Sequence, residues 1–101
     1  MPKGYAIVTE EIIDQARYEG YGQKAVPTIM QYGGIPIVAY DNAEVLEGQW
    51  HGTRTIVVEF VSVEAARTWY NSPEYQAIIG ERHASTDSNF VIVGGFEMPN
   101  Q

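Results

Sequence analysis

Three residues of contrasting chemistry lie close together near the middle of the chain. Trp50 and His51 are adjacent, and Arg54 follows three residues later. An indole ring offers an apolar wall, an imidazole titrates near neutral pH, and a guanidinium carries a permanent positive charge. Such a group can bind a small anionic or aromatic ligand and move a proton. An ordinary loop is the competing interpretation, with the histidine in solvent and Arg54 paired with a carboxylate such as Glu47.

Glu59 is a second candidate for acid–base chemistry, because it interrupts an apolar run. The segment Arg54–Phe60 has the clearest strand pattern in the chain. A carboxylate inside such a strand is costly unless it is paired or solvated. We expect Glu59 to face the interior of a barrel, where Arg54 or Arg82 of a second subunit can reach it. A structural ion pair and a general base with a raised pKa are the two interpretations.

The predicted site therefore has two candidate catalytic residues, His51 and Glu59. The candidate ligand-binding residues share an aromatic face or a fixed positive charge: Trp50, Arg54, Trp69, Tyr70 and Arg82. Trp69 and Tyr70 are adjacent on a predicted helix and point about 100° apart. We expect Trp69 to pack in the core and Tyr70 to line a crevice.

Composition and charge exclude several classes of function. The chain has 101 residues, no cysteine and a net charge of −7, with six dispersed basic residues. Disulfide and thiolate chemistry are excluded, and nucleic acid or an anionic membrane is an unfavourable partner. No segment approaches the ~20 apolar residues of a membrane span, and the N-terminal apolar run is too short for a signal peptide. We therefore expect a cytoplasmic protein.

We expect neither a metal nor a cofactor. His83 and Asp87 are four residues apart, but no third ligand follows at metal-site spacing. Gly94-Gly95 precedes no helix and no lysine, so it is not a phosphate-binding loop.

The apolar pattern predicts the strands and helices that carry these residues. Four strands are predicted, at Tyr5–Thr9, Ile35–Tyr40, Arg54–Phe60 and Phe90–Phe96. A first helix is predicted from about Glu11 to Tyr32, with Asp14 as an alternative N-cap, and Gly33-Gly34 ends it. We expect Pro27 to kink this helix or end a turn of it.

Two serines predict the remaining helices. Ser62 is an N-cap for a helix that ends near Asn71, and Ser72 with Pro73 begins another through Gly80. We expect 44–48 to form a short bulged strand and 83–89 to form a loop. The resulting order, β-α-β-β-α-β over a single domain of residues 1–101, predicts the ferredoxin-like α+β fold. It has four antiparallel strands, with the helices on one face.

Both faces of the predicted strands are apolar. In the last strand, for example, Phe90 and Ile92 lie on one face while Val91 and Val93 lie on the other. Helices cover only one face, so the second face would expose several large apolar residues. We expect two identical subunits to bury these faces against each other with two-fold symmetry. Coverage by long loops of the same chain is the alternative.

A pattern spread over most of the chain resembles one known family. It consists of Glu47-Gly48-x-Trp50, Arg54, Val58-Glu59-Phe60, Ala66, Trp69-Tyr70-x-Ser72-x-x-Tyr75 and Arg82, with Gly33-Gly34 upstream. This pattern is similar to the "domain of unknown function 1330" family, within the dimeric α+β barrel superfamily. The resemblance implies a ferredoxin-like subunit whose sheet faces that of a second subunit. It implies no reaction, although relatives by fold include cofactor-free monooxygenases, haem-degrading enzymes and lactone isomerases.

Two functions from different classes follow. The first is a site between the helices and the sheet, near Trp50, His51, Arg54 and Tyr70, for a small, partly apolar or anionic metabolite. It would suit a cofactor-independent oxygenase or isomerase, in which Arg54 holds an anionic group and His51 moves a proton. The second is a non-catalytic dimeric module for binding or assembly.

Overall fold

Eight elements follow one another in the computed structural model, which describes residues 2–99. The strands are β1 (Gly4–Ile12), β2 (Ile35–Asp41), β3 (Arg54–Phe60) and β4 (Thr86–Gly94). The helices are α1 (Gln15–Gln31), α2 (Val63–Tyr70), α3 (Pro73–Gln76) and α4 (Ile79–Ser85). The predicted order is confirmed, and its second helical region consists of three helices.

The four strands form one antiparallel sheet in the order β2-β3-β1-β4. The first and third strands of the chain therefore lie at the centre, as the ferredoxin-like arrangement requires. This confirms the predicted α+β fold class. The register places Glu10 of β1 between Arg54 of β3 and Ser88 of β4, so these three residues form one row across the sheet.

Two predicted boundaries were wrong at the same end of the sheet. β1 continues beyond Thr9 to Ile12, and residues 83–89 form no loop because α4 leads directly into β4 at Thr86. The two extensions pair with each other, from Glu10 opposite Ser88 to Ile12 opposite Thr86. Polar strand ends have no apolar periodicity, so only the pairing of distant segments identifies them as strand.

The predicted breaks in the helices were correct in part. Gly33 adopts a φ of +81° directly after the helix, as expected for a C-terminal stop. Asp14, Ser62 and Ser72 each accept a hydrogen bond from a backbone N–H of the helix that follows. Pro27, in contrast, lies inside α1, which continues to Gln31. Residues 44–48 form no strand and belong to the connection between β2 and β3.

The sheet has two unlike faces. The helix face packs against the helices and supplies much of the core, whose buried apolar residues are Ala6, Ala25, Ile29, Val58, Phe60, Ala66, Trp69 and Tyr75. The open face carries the alternate residues, among them Thr9, Val38, Tyr40, Thr55, Val57, Glu59, Val91 and Val93. Val91 is 50% exposed and Tyr40 is 62% exposed, so no part of residues 2–99 covers them fully. No helix in this described part of the chain is long and apolar enough to cross a membrane.

Candidate functional site

A cavity of about 220 Å³ lies between α1 and the helix face of the sheet. Small residues leave this space open, because Gly22 and Ala25 of α1 and Ala39 of β2 line it with little side-chain volume. The remaining lining residues are Val8, Glu10, Tyr18, Tyr21, Val26, Ile29, Pro36, Arg54, Ile56, Val58, Trp69, Arg82 and Phe90. Most of these walls are apolar, which suits a ligand with an apolar body.

A buried glutamate lies in the wall of this cavity. Glu10 is 1% exposed and follows Ala6 and Val8 on the helix face of β1. The hydroxyl of Tyr18, on the first turns of α1, donates a short hydrogen bond to its Oε2 atom. Its Oε1 atom is buried and has no hydrogen-bond partner among the described residues. A buried carboxylate oxygen without a partner is costly, and a catalytic or binding role is one explanation for such an atom.

The surroundings of Glu10 favour its protonated form more than water would. Burial raises the pKa of Glu10 above its ordinary value of 4.5, although the Tyr18 hydrogen bond and the charges of Arg82 and Arg54 act in the opposite direction. Burial and the neighbouring carboxylate also raise the pKa of Tyr18, so its hydroxyl keeps its proton and remains a donor. A carboxylate with a raised pKa is a stronger base than one in water.

Arg82 brings a buried positive charge to the same cavity. It is 3% exposed, and its Nε donates to the Tyr75 hydroxyl at 3.1 Å while Nη1 donates to Ser88 Oγ at 2.6 Å. The Tyr75 hydroxyl lies 2.7 Å from that of Tyr21. The guanidinium carbon also lies 5.0 Å from the centre of the Phe90 ring. Neutral hydroxyls and a ring face thus hold the guanidinium without cancelling its charge.

Arg54 completes the polar end of the cavity. Its Nη1 donates to Asp41 Oδ1 at 2.7 Å, which anchors the guanidinium near the edge strand β2. Its Nε is buried and has no hydrogen-bond partner within the described chain. The expectation of Glu47 as a partner for Arg54 is replaced by Asp41, which is its neighbour across the sheet.

The structure brings together three of the residues predicted for ligand binding. Arg54, Trp69 and Arg82 all line the cavity, and Trp69 is also a core residue at 2% exposure. Tyr70 does not line the cavity. Its ring packs against those of Phe90 and Tyr75, with centroids 5.1 and 5.7 Å away.

Trp50 and His51 lie on the opposite side of the sheet from Arg54. The Trp50 Nε1 donates to Thr55 Oγ1 at 3.0 Å, and His51 Nδ1 lies 2.9 Å from Thr9 Oγ1. Both threonines belong to the open face. The predicted grouping of Trp50 and His51 with Arg54 between helices and sheet was therefore wrong. The end of the connection between β2 and β3 contacts the open face through Trp50 and His51, whereas Arg54 is the first residue of β3 and points to the helix face.

Glu59 also lies on the open face, where Lys3 Nζ is 3.1 Å from its Oε1. It pairs across the sheet with Tyr5 and Ile35. Arg54 and Arg82 are directed to the other face, so the expected pairing of Glu59 with either arginine was wrong. Successive side chains of a strand alternate between faces, which separates position 59 from positions 54, 56 and 58.

Sequence reasoning missed Glu10, the residue with the most unusual environment in the cavity. The predicted first strand ended at Thr9, so Glu10 was left outside it. The period of two was nevertheless present, because Glu10 follows Ala6 and Val8 at even spacing. The structure also adds Tyr18 to the site, because its hydroxyl reaches Glu10 from α1.

The described residues contain no obvious metal centre. Within residues 2–99, no group of three or more His, Cys, Asp or Glu side chains is placed to hold a metal ion. His51 Nε2 lies 3.7 Å from Asp87 Oδ1 at the edge of the open face, while His83 receives a contact from Arg82 on the other side.

The sequence matches the family described as "Domain of unknown function (DUF1330)" over residues 3–96. The chain belongs to this family. The resemblance expected from the sequence is thereby confirmed across nearly the whole chain. No curated protein matches the sequence.

Solved structures similar to this DUF1330 chain share its fold at low sequence identity. A protein of unknown function from Rhodopseudomonas palustris is 17% identical, with a TM-score of 0.78 over 96% of this chain and 85% of its own. SnoaB, a cofactor-independent oxygenase from Streptomyces nogalater, is 9% identical, with a TM-score of 0.69 over 100% of both chains. A dimeric ferredoxin-like protein of unknown function from Thermobifida fusca is 10% identical, with a TM-score of 0.59 over 92% of this chain and 91% of its own. These likenesses establish the ferredoxin-like fold.

Proposed function

We propose that the cavity binds a small, partly apolar metabolite and that Glu10 moves a proton to or from it without a cofactor. The observation that carries this proposal is the Glu10 side chain, which is buried in the wall of a mostly apolar cavity and whose Oε1 has no hydrogen-bond partner among residues 2–99. A purely structural glutamate would have both oxygens paired, because an unpaired buried oxygen destabilises the fold. The raised pKa of Glu10 suits a general base.

The proposed step transfers one proton. Glu10 takes a proton from a weakly acidic C–H or O–H group, and the electron pair of that bond remains on the ligand. Arg82 and Arg54 stabilise the resulting anion, because both line the same cavity. Return of the proton to another carbon would complete an isomerisation. Addition of molecular oxygen to the anion would instead begin a cofactor-independent oxygenation, the activity named for SnoaB, which shares the fold.

A thermal-shift screen of small metabolites tests the location of the site. Gly22 lines the cavity, and a Cβ built there meets no atom within 4 Å, so the Gly22→Leu side chain can enter the space. Gly20 of the same helix also has no atom within 4 Å of a built Cβ but does not line the cavity. Gly20→Leu is therefore the matched control. We expect hits that stabilise the wild type and Gly20→Leu but not Gly22→Leu. Hits that survive Gly22→Leu would place binding elsewhere.

Catalysis is separated from binding by a second variant. Glu10→Gln keeps the shape of the side chain but removes the base. For a hit that the wild type converts, or whose acidic C–H hydrogen it exchanges with deuterated water, we expect turnover and exchange to be lost in Glu10→Gln while the ligand still binds. A ligand that binds but exchanges no proton in the wild type would favour the alternative function, a non-catalytic binding or assembly module.

We also propose that two copies of the chain pair through their open faces. The exposed apolar residues Val38, Val91 and Val93 share this face, and a structural neighbour is described as dimeric. Pairing with two-fold symmetry would remove this surface from water. Sedimentation at micromolar concentration should give twice the chain mass for the wild type and one chain mass for Val91→Lys. Val61→Lys is the control, because Val61 is 73% exposed in the turn before α2. A monomeric wild type would overturn this part of the proposal.

A further inference from the structure

Two residues that are opposed across the sheet each have a buried polar atom without a partner among residues 2–99. Among residues 2–99, the buried side-chain nitrogen and oxygen atoms without a hydrogen-bond partner are Glu10 Oε1 and Arg54 Nε. The two residues are paired directly across β1 and β3. Both line the cavity on the helix face. One atom accepts a hydrogen bond and the other donates one, yet they are not bonded to each other.

Each side chain is held by its other atoms. Tyr18 occupies Oε2 of Glu10, and Asp41 occupies Nη1 of Arg54 at 2.7 Å. The anchors leave Oε1 and Nε without partners on two directly opposed residues that both line the cavity. Burying either atom unpaired costs free energy that one hydrogen bond to a ligand would recover. A ligand that satisfies both must carry a donor beside an acceptor.

We propose that the ligand is a hydroxycarbonyl compound or the enol of a dicarbonyl, with its O–H directed to Glu10 Oε1 and its carbonyl oxygen to Arg54 Nε. This inference rests on the proposed function of the cavity and names its class of substrate. A carboxylate ligand brings two acceptors and no donor, and it would place a second negative charge beside Glu10. A simple alcohol or phenol satisfies Glu10 and leaves Arg54 Nε without an acceptor.

The size of the cavity limits the rest of the ligand. An apolar cavity of about 150 Å³ holds a benzene molecule. The cavity of about 220 Å³ therefore has room for one substituted ring or a branched chain of similar size. Its apolar walls favour an uncharged body attached to the polar pair.

The same arrangement explains where the proton would go. Glu10 Oε1 takes the hydroxyl proton, the O–H bond breaks, and its electron pair stays on the ligand oxygen. The conjugated carbonyl oxygen shares the resulting negative charge beside Arg54. The step needs no oxidant, and it yields the anion that the proposed isomerisation or oxygenation requires.

A series of three probes tests this inference with the wild-type protein alone. The probes are 3-hydroxy-4-pyranone, its O-methyl ether and unsubstituted 4-pyranone, with dissociation constants measured by calorimetry at pH 7. We expect the hydroxypyranone to bind at least about tenfold more tightly than either of the others, since a hydrogen bond to a charged group contributes roughly that much. Equal affinities, or no binding by any of the three, would overturn the inference.

The outcome also separates this inference from the proposed function. If metabolites from the screen bind in a Gly22-dependent way while the hydroxyl of the probe gives no advantage, the site stands and the assigned class of ligand is wrong. If neither the metabolites nor the probes respond to Gly22→Leu, the site itself is wrong.

A pair of glutamate variants assigns the preference to Glu10. Glu10→Gln should abolish the tenfold preference for the hydroxypyranone. Glu11→Gln should retain it, because Glu11 is exposed and its carboxylate accepts from Thr53 outside the cavity. If Glu10→Gln does not fold, the pH dependence of hydroxypyranone binding to the wild type tests the role of Glu10 instead. Binding of the hydroxypyranone should weaken as Glu10 is protonated at lower pH. Binding of the hydroxypyranone that does not weaken as the pH falls would contradict the inference.

Discussion

The helix face and the open face of the same sheet differ most clearly in their carboxylates. Glu10 on the helix face is 1% exposed, with one oxygen hydrogen-bonded to Tyr18 and the other without a partner in the described part of the chain. Glu59 on the open face has a side chain that is 22% exposed and an ion pair with Lys3. Burial raises the pKa of the first carboxylate, whereas an ion pair at the surface neutralises the charge of the second. A glutamate within a strand therefore indicates chemistry only when its face and its partners are known.

The two tryptophans repeat this contrast. Trp69 is 2% exposed, and its Nε1 donates to Thr28 Oγ1 at 3.0 Å inside the core. Trp50 is 51% exposed, and its Nε1 donates to Thr55 Oγ1 on the open face. One ring stabilises the subunit and lines the cavity. The other leaves half of its surface available to a partner.

The largest expected effect is the loss of the buried tryptophan. Trp69→Ala should lower the free energy of unfolding by about 3–5 kcal/mol, because it removes a large ring from a packed core. Trp50→Ala is the matched control and should cost much less, since half of its ring is already in solvent. Urea unfolding followed by circular dichroism at equal protein concentration measures both. Similar losses would contradict the division between the faces.

Substitution of Gly52, where the β2–β3 connection contacts β1, should have the next largest effect on the free energy of unfolding. Gly48 and Gly52 both have φ near +75°, but a Cβ at Gly52 would lie 2.5 Å from the Glu10 backbone, whereas one at Gly48 meets no atom within 4 Å. Gly48→Ala should cost about 1–2 kcal/mol for the left-handed conformation alone. Gly52→Ala should cost about 1–3 kcal/mol more, because backbone must also move.

The same pair of variants tests how the connection supports the cavity. Thr53 N donates to Glu10 O at 3.0 Å, which ties this segment to β1 beside the buried carboxylate. Gly52→Ala should therefore weaken binding of any cavity ligand, while Gly48→Ala should not. Equal affinities in calorimetry would show that the connection does not position Glu10.

The buried carboxylate of Glu10 should destabilise the folded protein to a degree that depends on pH. The pKa of Glu10 is raised in the folded protein, so the folded state binds this proton more tightly than the unfolded state. Its contribution to stability therefore falls as the pH rises above 4.5 and through the raised folded pKa. Glu10→Gln should melt at a higher temperature than the wild type at pH 7, and the difference should shrink toward pH 4. A lower melting temperature at pH 7 would contradict a net destabilising carboxylate.

The smallest effect is expected for the carboxylate of the open face. Glu59→Gln removes the pair with Lys3, whose side chain is 57% exposed. Exposed pairs contribute about 0–1 kcal/mol and are screened by salt. Its unfolding free energy should match that of the wild type within that range, and the difference should vanish at high salt. A large loss of unfolding free energy would mean that Glu59 contributes more to stability than an exposed ion pair does.

Much of the fold could be predicted because it depends on local chemistry. Ser62 and Ser72 are N-caps wherever a helix follows, and Gly33 permits the positive φ that ends α1. The apolar run of β3 and the apolar residues on both sides of β4 were likewise evident from the sequence. These features led to the order of elements and to the expectation of a second, uncovered face.

The sequence by itself thus determined the order of the main strands and helices, the fold class and three of the residues that line the cavity, Arg54, Trp69 and Arg82. Only the tertiary structure decided which face each polar residue occupies. Glu10 lies in the cavity wall because β1 is extended by pairing with β4. His51 lies outside the cavity because its side chain contacts Thr9 on the open face. Both outcomes depend on contacts between residues about 40 or more positions apart, such as Thr9 with His51 at a separation of 42. Local periodicity carries no information about such contacts, since it records alternation along a strand and not which side the helices will cover.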